Sequence, residues 1–336
     1  MKNKPYTVAW FSALGLSLGL TFGAVLVRPA LAAPEAKADQ VVDAKSGDPK
    51  SGDAKSGAAK SGAAKSGDAK ATENKTSEKK QAEKAPVPEV KSTKPLIGVN
   101  CDVSGEKPKE IGVAAPYLDA ISKAGGVPIL LPPMAPEDIS RVLPMLDGVM
   151  MIGGDDYPPS LYGEKEHASV SLMAKERSDF DIALVKAVLA DKNLPFLGIC
   201  AGCQALNIGS GGSLIQDIPS EKPGSRLVHA SKNGYQSGFN SHPVTFVKGS
   251  KLQRIYGKEV ITEPTSHHQA VSKPGAGINV CASADDGIVE AIEVAGRPFA
   301  FGVQFHPERA FDRNKALFDE FISTALSRRS ARQAAH

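Results

Sequence analysis

The sequence predicts an α/β fold: a three-layer sandwich around a mostly parallel central sheet. Three observations predict it. Short apolar runs of five residues recur between segments with helical spacing across residues 95–200. Most of these runs end at glycine, proline or polar residues. They are apolar throughout rather than alternating, as expected of strands buried on both faces.

The elements follow in order. Residues 95–99 (Pro-Leu-Ile-Gly-Val) form the first strand. Tyr117, Leu118 and Ile121 give a helix over 117–124, stopped by Gly125-Gly126. A second strand spans 127–131 and closes at Pro132-Pro133; a helix follows over 138–146. The strand 148–152 runs into Gly153-Gly154. Phe180, Ile182, Leu184, Val185 and Val188 mark a helix over 178–189, and the strand 195–199 meets Cys200. Beyond Gly212 the pattern turns to short β pieces at 244–247, 278–282, 288–293 and 300–304, and 309–326 reads as a closing helix.

The N-terminal residues are of another kind. Lys2 and Lys4 precede an uncharged run over 5–27 and then Ala30-Leu31-Ala32, the parts of a secretory signal. The run is longer than the roughly 7–15 residues of an ordinary signal core. Residues 1–33 therefore read as a signal peptide cleaved after Ala32 or as an uncleaved signal anchor. Either reading sends the remainder across the membrane, to the periplasm or outside, or tethers it to the inner membrane by residues 5–27. Residues 34–94 hold 13 lysines, 10 acidic residues, no aromatic and no cysteine, with Lys-Ser-Gly recurring every five residues from Lys45 to Lys65. That composition gives a disordered linker, a solvated spacer or a tether through an envelope layer.

Residues 95–336 keep 24 Lys and Arg against 27 Asp and Glu, a net charge of −3, although the whole chain of 336 residues carries +3. The folded domain expected at 95–330 thus offers no electrostatic case for nucleic-acid binding, which needs a basic face.

The chemistry points to Gly198-Ile199-Cys200-Ala201-Gly202, a thiol where a strand turns into a helix. This is the cysteine counterpart of the G-x-S-x-G elbow. A helix N-terminus at that turn favours the thiolate and offers amide N–H groups to an oxyanion. His306, followed by Pro307-Glu308, supplies an imidazole and, two residues on, a carboxylate to orient it. Cys203 completes a C-x-x-C with Cys200. It reads as a passive small residue, as a reversible redox partner that masks the nucleophile, or as half of an oxidoreductase site. Cys101 and Cys281 fall at strand ends, paired or unpaired.

Three ordered blocks resemble the class I glutamine amidotransferase-like hydrolases: residues 198–217, residues 152–159 with Tyr162-Gly163-Glu164, and residues 302–308. Within them the chain most resembles the gamma-glutamyl-gamma-aminobutyrate hydrolase branch, peptidase family C26. The resemblance implies a flavodoxin-like fold and hydrolysis of gamma-glutamyl amides by a Cys200–His306–Glu308 triad. It implies an oxyanion hole from the amides of Gly154 and Ala201, and substrate contacts from Asp155, Gln204 and His267. Gln204 also reads as a capping or buried polar residue. His267 falls in a stretch resembling the family's Asn-Ser-x-His-x-Gln, with Pro264-Thr265 in place of Asn-Ser. No organic cofactor or metal is expected, because thiol, imidazole and amides supply the reaction. His267-His268 has no neighbour at a spacing that completes a tetrahedral site, and His229 and His242 read as loop histidines. The expected partner is a small gamma-glutamyl substrate, with a homodimer left open. The rivals are a glutaminase supplying ammonia to a synthetase, and a redox-regulated or non-catalytic member of the fold.

Overall fold

The computed structural model describes residues 93–105, 109–234 and 237–334. The expected signal segment and nearly all of the expected linker lie outside them. Among the described residues no helix is long and apolar enough to cross a membrane.

The chain enters through β1 (Leu96–Asn100) and a small antiparallel pair, β2 (Asp102–Ser104) and β3 (Glu110–Gly112). Helix α1 (Ala115–Lys123) leads to β4 (Val127–Leu131), and α2 (Pro136–Val142) to β5 (Gly148–Met151). Helix α3 (Lys175–Ala190) then leads to β6 (Phe196–Ile199), which runs straight into α4 (Ala201–Gly209). After β7 (Ser213–Ile215) and the single turn α5 (Ile218–Glu221) come β8 (Asn240–Phe246), α6 (Lys251–Tyr256), β9 (Val260–Thr265) and β10 (Ala270–Lys273). Strands β11 (Ile278–Ser283), β12 (Val289–Val294) and β13 (Ala300–Val303) precede the long α7 (Phe311–Ala334).

Nine strands form the main sheet in the order β4-β1-β5-β6-β13-β12-β11-β8-β9. The first five are parallel. The last four extend the sheet antiparallel. Strands β7 and β10 pair separately. The two faces have separate cores. Ile97, Val99, Leu197, Ile199 and Phe301 pack with Ile121 of α1 and Phe318 and Phe321 of α7. Val149, Met151 and Phe196 pack with Phe180, Val185 and Leu206 on the other side. Alternate residues of one strand thus serve opposite layers, which is why the strands read as continuous apolar runs.

Several boundaries differ from the sequence expectation for local reasons. The helix expected over 138–146 begins earlier, with Pro136 in its first turn, and gives way to a 3-10 turn at Leu143–Met145, where Pro144 removes a backbone donor. Strand β9 carries Pro264 inside it, a residue that argues against a strand. It is tolerated because β9 is the edge of the sheet. The closing helix runs to Ala334, eight residues past Leu326. Its last turns are held by Arg332 Nη2 to Asp147 Oδ1 at 2.8 Å and Arg328 Nη2 to Asp191 Oδ2 at 2.7 Å.

Candidate active site

Cys200 sits where β6 becomes α4, at the carboxyl ends of the parallel strands, the place where open α/β sheets assemble sites. It has φ 52° and ψ −106°, and among the described residues it is the one non-glycine with positive φ. A strained backbone at this point aims the side chain off the sheet end. The turn is held by Cys200 N–H donating to Val303 O at 2.8 Å. The flanking glycines are needed for approach rather than for torsion. A methyl at Gly198 would lie 2.4 Å from Gly202 O, and one at Gly202 would lie 2.5 Å from Met151 O.

The end of β13 delivers the imidazole. His306 N–H donates to Pro264 O at 2.8 Å, and His306 Nδ1 lies 2.9 Å from Glu308 Oε1. Both side chains are buried. Burial opposes charging of His306, but the Glu308 carboxylate and the Cys200 thiolate outweigh it and raise its pKa to about 10. Gln304 Nε2 reaches Cys200 Sγ at 3.5 Å. The cleft around the thiol is lined by Tyr117, Gly153, Gly154, Asp155, Phe239, Ser266 and His306. Phe239 stacks edge-on against His306 at 4.9 Å between centroids.

The glycine loop after β5 is pinned from behind. Arg177, fully buried, donates from Nη2 to Gly153 O at 2.7 Å and from Nη1 to Asp102 Oδ1 at 2.7 Å, with Nε 3.4 Å from Asp181 Oδ2. Gly153 N–H is directed to Tyr117 Oη at 3.1 Å. That leaves Gly154 of this loop facing the cleft, and Ala201 as the first residue of α4, where an N–H has no partner within its own helix.

The structure therefore lines one cleft with Cys200, His306, Gly154 and Asp155, sets Glu308 against His306 and Ala201 directly after Cys200, and does not bring Gln204 and His267 to it. Gln204 is buried, with Nε2 3.4 Å from Gln304 Oε1 and 3.5 Å from Gln269 O. It takes the buried polar role left open for it. His267 turns away: Nδ1 faces Gln269 O at 2.9 Å and Nε2 is 3.5 Å from Glu290 Oε1. The expectation that it points at the substrate is corrected on that geometry.

The four cysteines are free and buried. Cys203 Sγ packs against Gly302, where an added methyl would meet it at 2.8 Å, so it faces the sheet beneath the elbow. Burial, followed by Cys200, pushes its pKa well above the ordinary thiol value. Burial also raises Cys101 and Cys281.

The expectation that no neighbours complete a metal-type set is also corrected. His229 and His242 are not idle loop histidines. With His267 and Glu290 they form a buried group whose ligand atoms all lie within 4.8 Å of one another. Spacing along the chain could not reveal it, because the strands bring the members together. Burial alone would raise the pKa of Glu290, but the histidines around it hold it well below the usual range. Beside this group His268 bridges Asp156 Oδ2 at 3.0 Å and Asp217 Oδ1 at 3.2 Å.

Tyr117, Arg177, Phe239, Ser266 and Gln304 were not singled out from sequence. Arg177 had a readable signal: with Asp181 it places an i,i+4 ion pair on the helical face that also carries Phe180 and Leu184.

The model of the family described as Peptidase C26 matches residues 95–308. A Mycobacterium tuberculosis protein with a provisional glutamine amidotransferase name is 35% identical over 213 residues, covering 63% of this chain and 67% of that one. A glutamine amidotransferase-like protein of Rickettsia prowazekii is 33% identical over 263 residues, covering 64% and 91%. The gamma-glutamyl-gamma-aminobutyrate hydrolase PuuD of Escherichia coli K12 is 32% identical over 217 residues, covering 62% and 84%.

Proposed function

The chain belongs to the peptidase C26 family, and on that premise we propose that it hydrolyses gamma-glutamyl amide bonds through a thioester on Cys200. The observation that carries the proposal is Cys200 at its strained elbow with the His306–Glu308 pair beside it.

In this reading Cys200 reacts as the thiolate whose proton His306 already holds, and its sulfur bonds to the gamma-carbonyl carbon. The carbonyl oxygen becomes an oxyanion facing the amides of Gly154 and Ala201. His306 returns its proton to the amide nitrogen, the C–N bond breaks, and the amine leaves. Water then attacks the thioester, giving up a proton to His306, and glutamate departs as the thiolate reforms. Glu308 holds the imidazole with Nδ1–H turned toward itself, so that Nε2 serves the reaction. Arg177 positions the Gly153-Gly154 backbone without touching the reacting atoms. The basic, apolar and Ala-x-Ala parts of residues 1–33 support export of this hydrolase to the periplasm or beyond, with residues 34–94 as its spacer.

The test is the full chain, reduced, against a panel of gamma-glutamyl amines and peptides and free glutamine, beside Cys200→Ala. Glutamate release from the gamma-glutamyl panel that disappears in the variant is expected. Release from glutamine alone would favour an ammonia-supplying glutaminase instead.

A further inference from the structure

A second chemical centre lies outside the Cys200 cleft. Glu290 of β12 places Oε1 3.2 Å from His229 Nδ1, 3.4 Å from His242 Nε2 and 3.5 Å from His267 Nε2. None of the four residues exceeds 4% exposure. They come from four places: the segment before β8, β8 itself, the connection from β9 to β10, and β12.

The outer nitrogens settle where the hydrogens are. His242 Nδ1 faces Pro243 O at 2.9 Å and His267 Nδ1 faces Gln269 O at 2.9 Å. A carbonyl only accepts, so both Nδ1 atoms carry hydrogen. His229 Nε2 faces the carboxylate oxygen Asp286 Oδ2 at 2.8 Å, and the same holds there. In the neutral imidazoles the three inward nitrogens are therefore bare lone pairs. They converge on a carboxylate oxygen, and these inward atoms have no hydrogen-bond partner among the described residues. Buried lone pairs aimed at one another call for a cation between them.

A proton on one imidazole answers one of the three N···O approaches and leaves the other two opposed. A metal ion answers all four atoms together. A tetrahedral ion with bonds of about 2.0–2.1 Å sets its ligand atoms about 3.3–3.4 Å apart; the three N···O edges here are 3.2, 3.4 and 3.5 Å, and all four ligand atoms lie within 4.8 Å of one another. The second shell is of the metalloprotein kind, each imidazole fixed through its far nitrogen by a carboxylate or a backbone carbonyl. Three imidazoles and one carboxylate suit zinc and its transition-metal neighbours rather than magnesium or calcium. With Glu290 and Asp286 ionised, a divalent ion leaves the group neutral. Four protein ligands fill the coordination sphere, which makes the centre structural.

We propose that His229, His242, His267 and Glu290 bind one zinc-class divalent ion that staples the 229 and 267 segments to the sheet. His267 N–H already donates to His229 O at 2.9 Å. Ser266, the residue before His267, forms part of the wall of the Cys200 cleft. The ion thus fixes a wall of the cleft without entering the chemistry. The cavity lined by Leu227, Val228 and His268 borders His229 and His267 from outside.

The test reads metal content and is independent of hydrolase activity. The full chain, made without a polyhistidine tag, is loaded with zinc, desalted and assayed by elemental analysis, beside Glu290→Gln and the double variant His242→Asn/Glu290→Gln. About one equivalent per chain is expected, falling below about one tenth in the double variant. Because a ligand variant can fail to fold, cobalt(II) is also bound to the wild type and to Cys200→Ala. Tetrahedral d–d bands without thiolate charge transfer, the same in both, are expected. The proposal is overturned if the zinc-loaded wild type holds no ion after desalting. It is equally overturned if a folded double variant keeps its ion, or if the cobalt spectrum shows thiolate ligation.

Discussion

Replacing Gly202 by alanine sets two effects of opposite sign against each other. An alanine within a helix gains up to about 1 kcal/mol over glycine. Here the added methyl would lie 2.5 Å from Met151 O and 2.9 Å from its carbonyl carbon and Cβ. The nearest obstacle is backbone of β5, so no rotamer change removes it. To bring that contact from 2.5 Å to the ordinary 3.4 Å, α4 must retreat by about 0.9 Å in a close-packed layer. Overpacking of this kind costs about 1–3 kcal/mol, which exceeds the propensity gain over most of that range and leaves a net loss of up to about 2 kcal/mol. At about 2–4 °C per kcal/mol for a domain of this size, Tm falls by up to about 8 °C. The same retreat carries the Ala201 amide off the oxyanion, and misplacement near 1 Å costs about 100-fold in rate. Urea melts and kcat/KM on the gamma-glutamyl panel check both. Gly112→Ala, whose methyl meets nothing within 4 Å, is the control and should stay within about 0.5 kcal/mol of wild type. A Gly202→Ala protein at least as stable as wild type, with unchanged kcat/KM, would refute the packing argument.

Two further perturbations follow. His306 is raised from 6.5 to about 10, so the stability its charge contributes is complete below about pH 6.5 and is lost as pH rises toward 10. Urea-derived stability should fall over that window by up to about 1.4 kcal/mol per pH unit from this group. Glu308→Gln, which removes a charge that raises His306, should flatten the slope; an unchanged slope would count against the pairing. Arg177→Met leaves Asp181 buried beside Tyr157 and Asn100 without its cation. Denaturant melts should show a loss of about 3–5 kcal/mol, and a loss under 1 kcal/mol would contradict the role given to Arg177.

How much was legible depended on whether a residue's partners lie near it in the chain. Cys200 with its glycines and His306 with Glu308 stand in short contiguous motifs at strand ends, so their chemistry could be read directly. Tyr117 reaches the cleft, and Arg177 the back of the glycine loop, from helices belonging to earlier βα units, and nothing in the sequence around either marks that loop as its partner. The His229–His242–His267–Glu290 group is the extreme case, since only sheet pairing unites its members. A faint signal was present. His242 shares the inward alternation of Val244 and Phe246 along β8, so an imidazole stands where an apolar residue is expected. Strand β9 was missed because Pro264 breaks its pattern, and only the assembled sheet reveals that it is an edge.

The central claim is that Cys200 carries the acyl group. Intact-mass analysis of the full chain, quenched during turnover of a gamma-glutamyl amide and followed by peptide mapping, tests it most directly. The account predicts an added gamma-glutamyl group on the peptide bearing Cys200, accumulating most when Glu308→Gln slows its release and missing from Cys200→Ala. Glutamate release that persists in Cys200→Ala, or an acyl group mapped to any other residue, would contradict it.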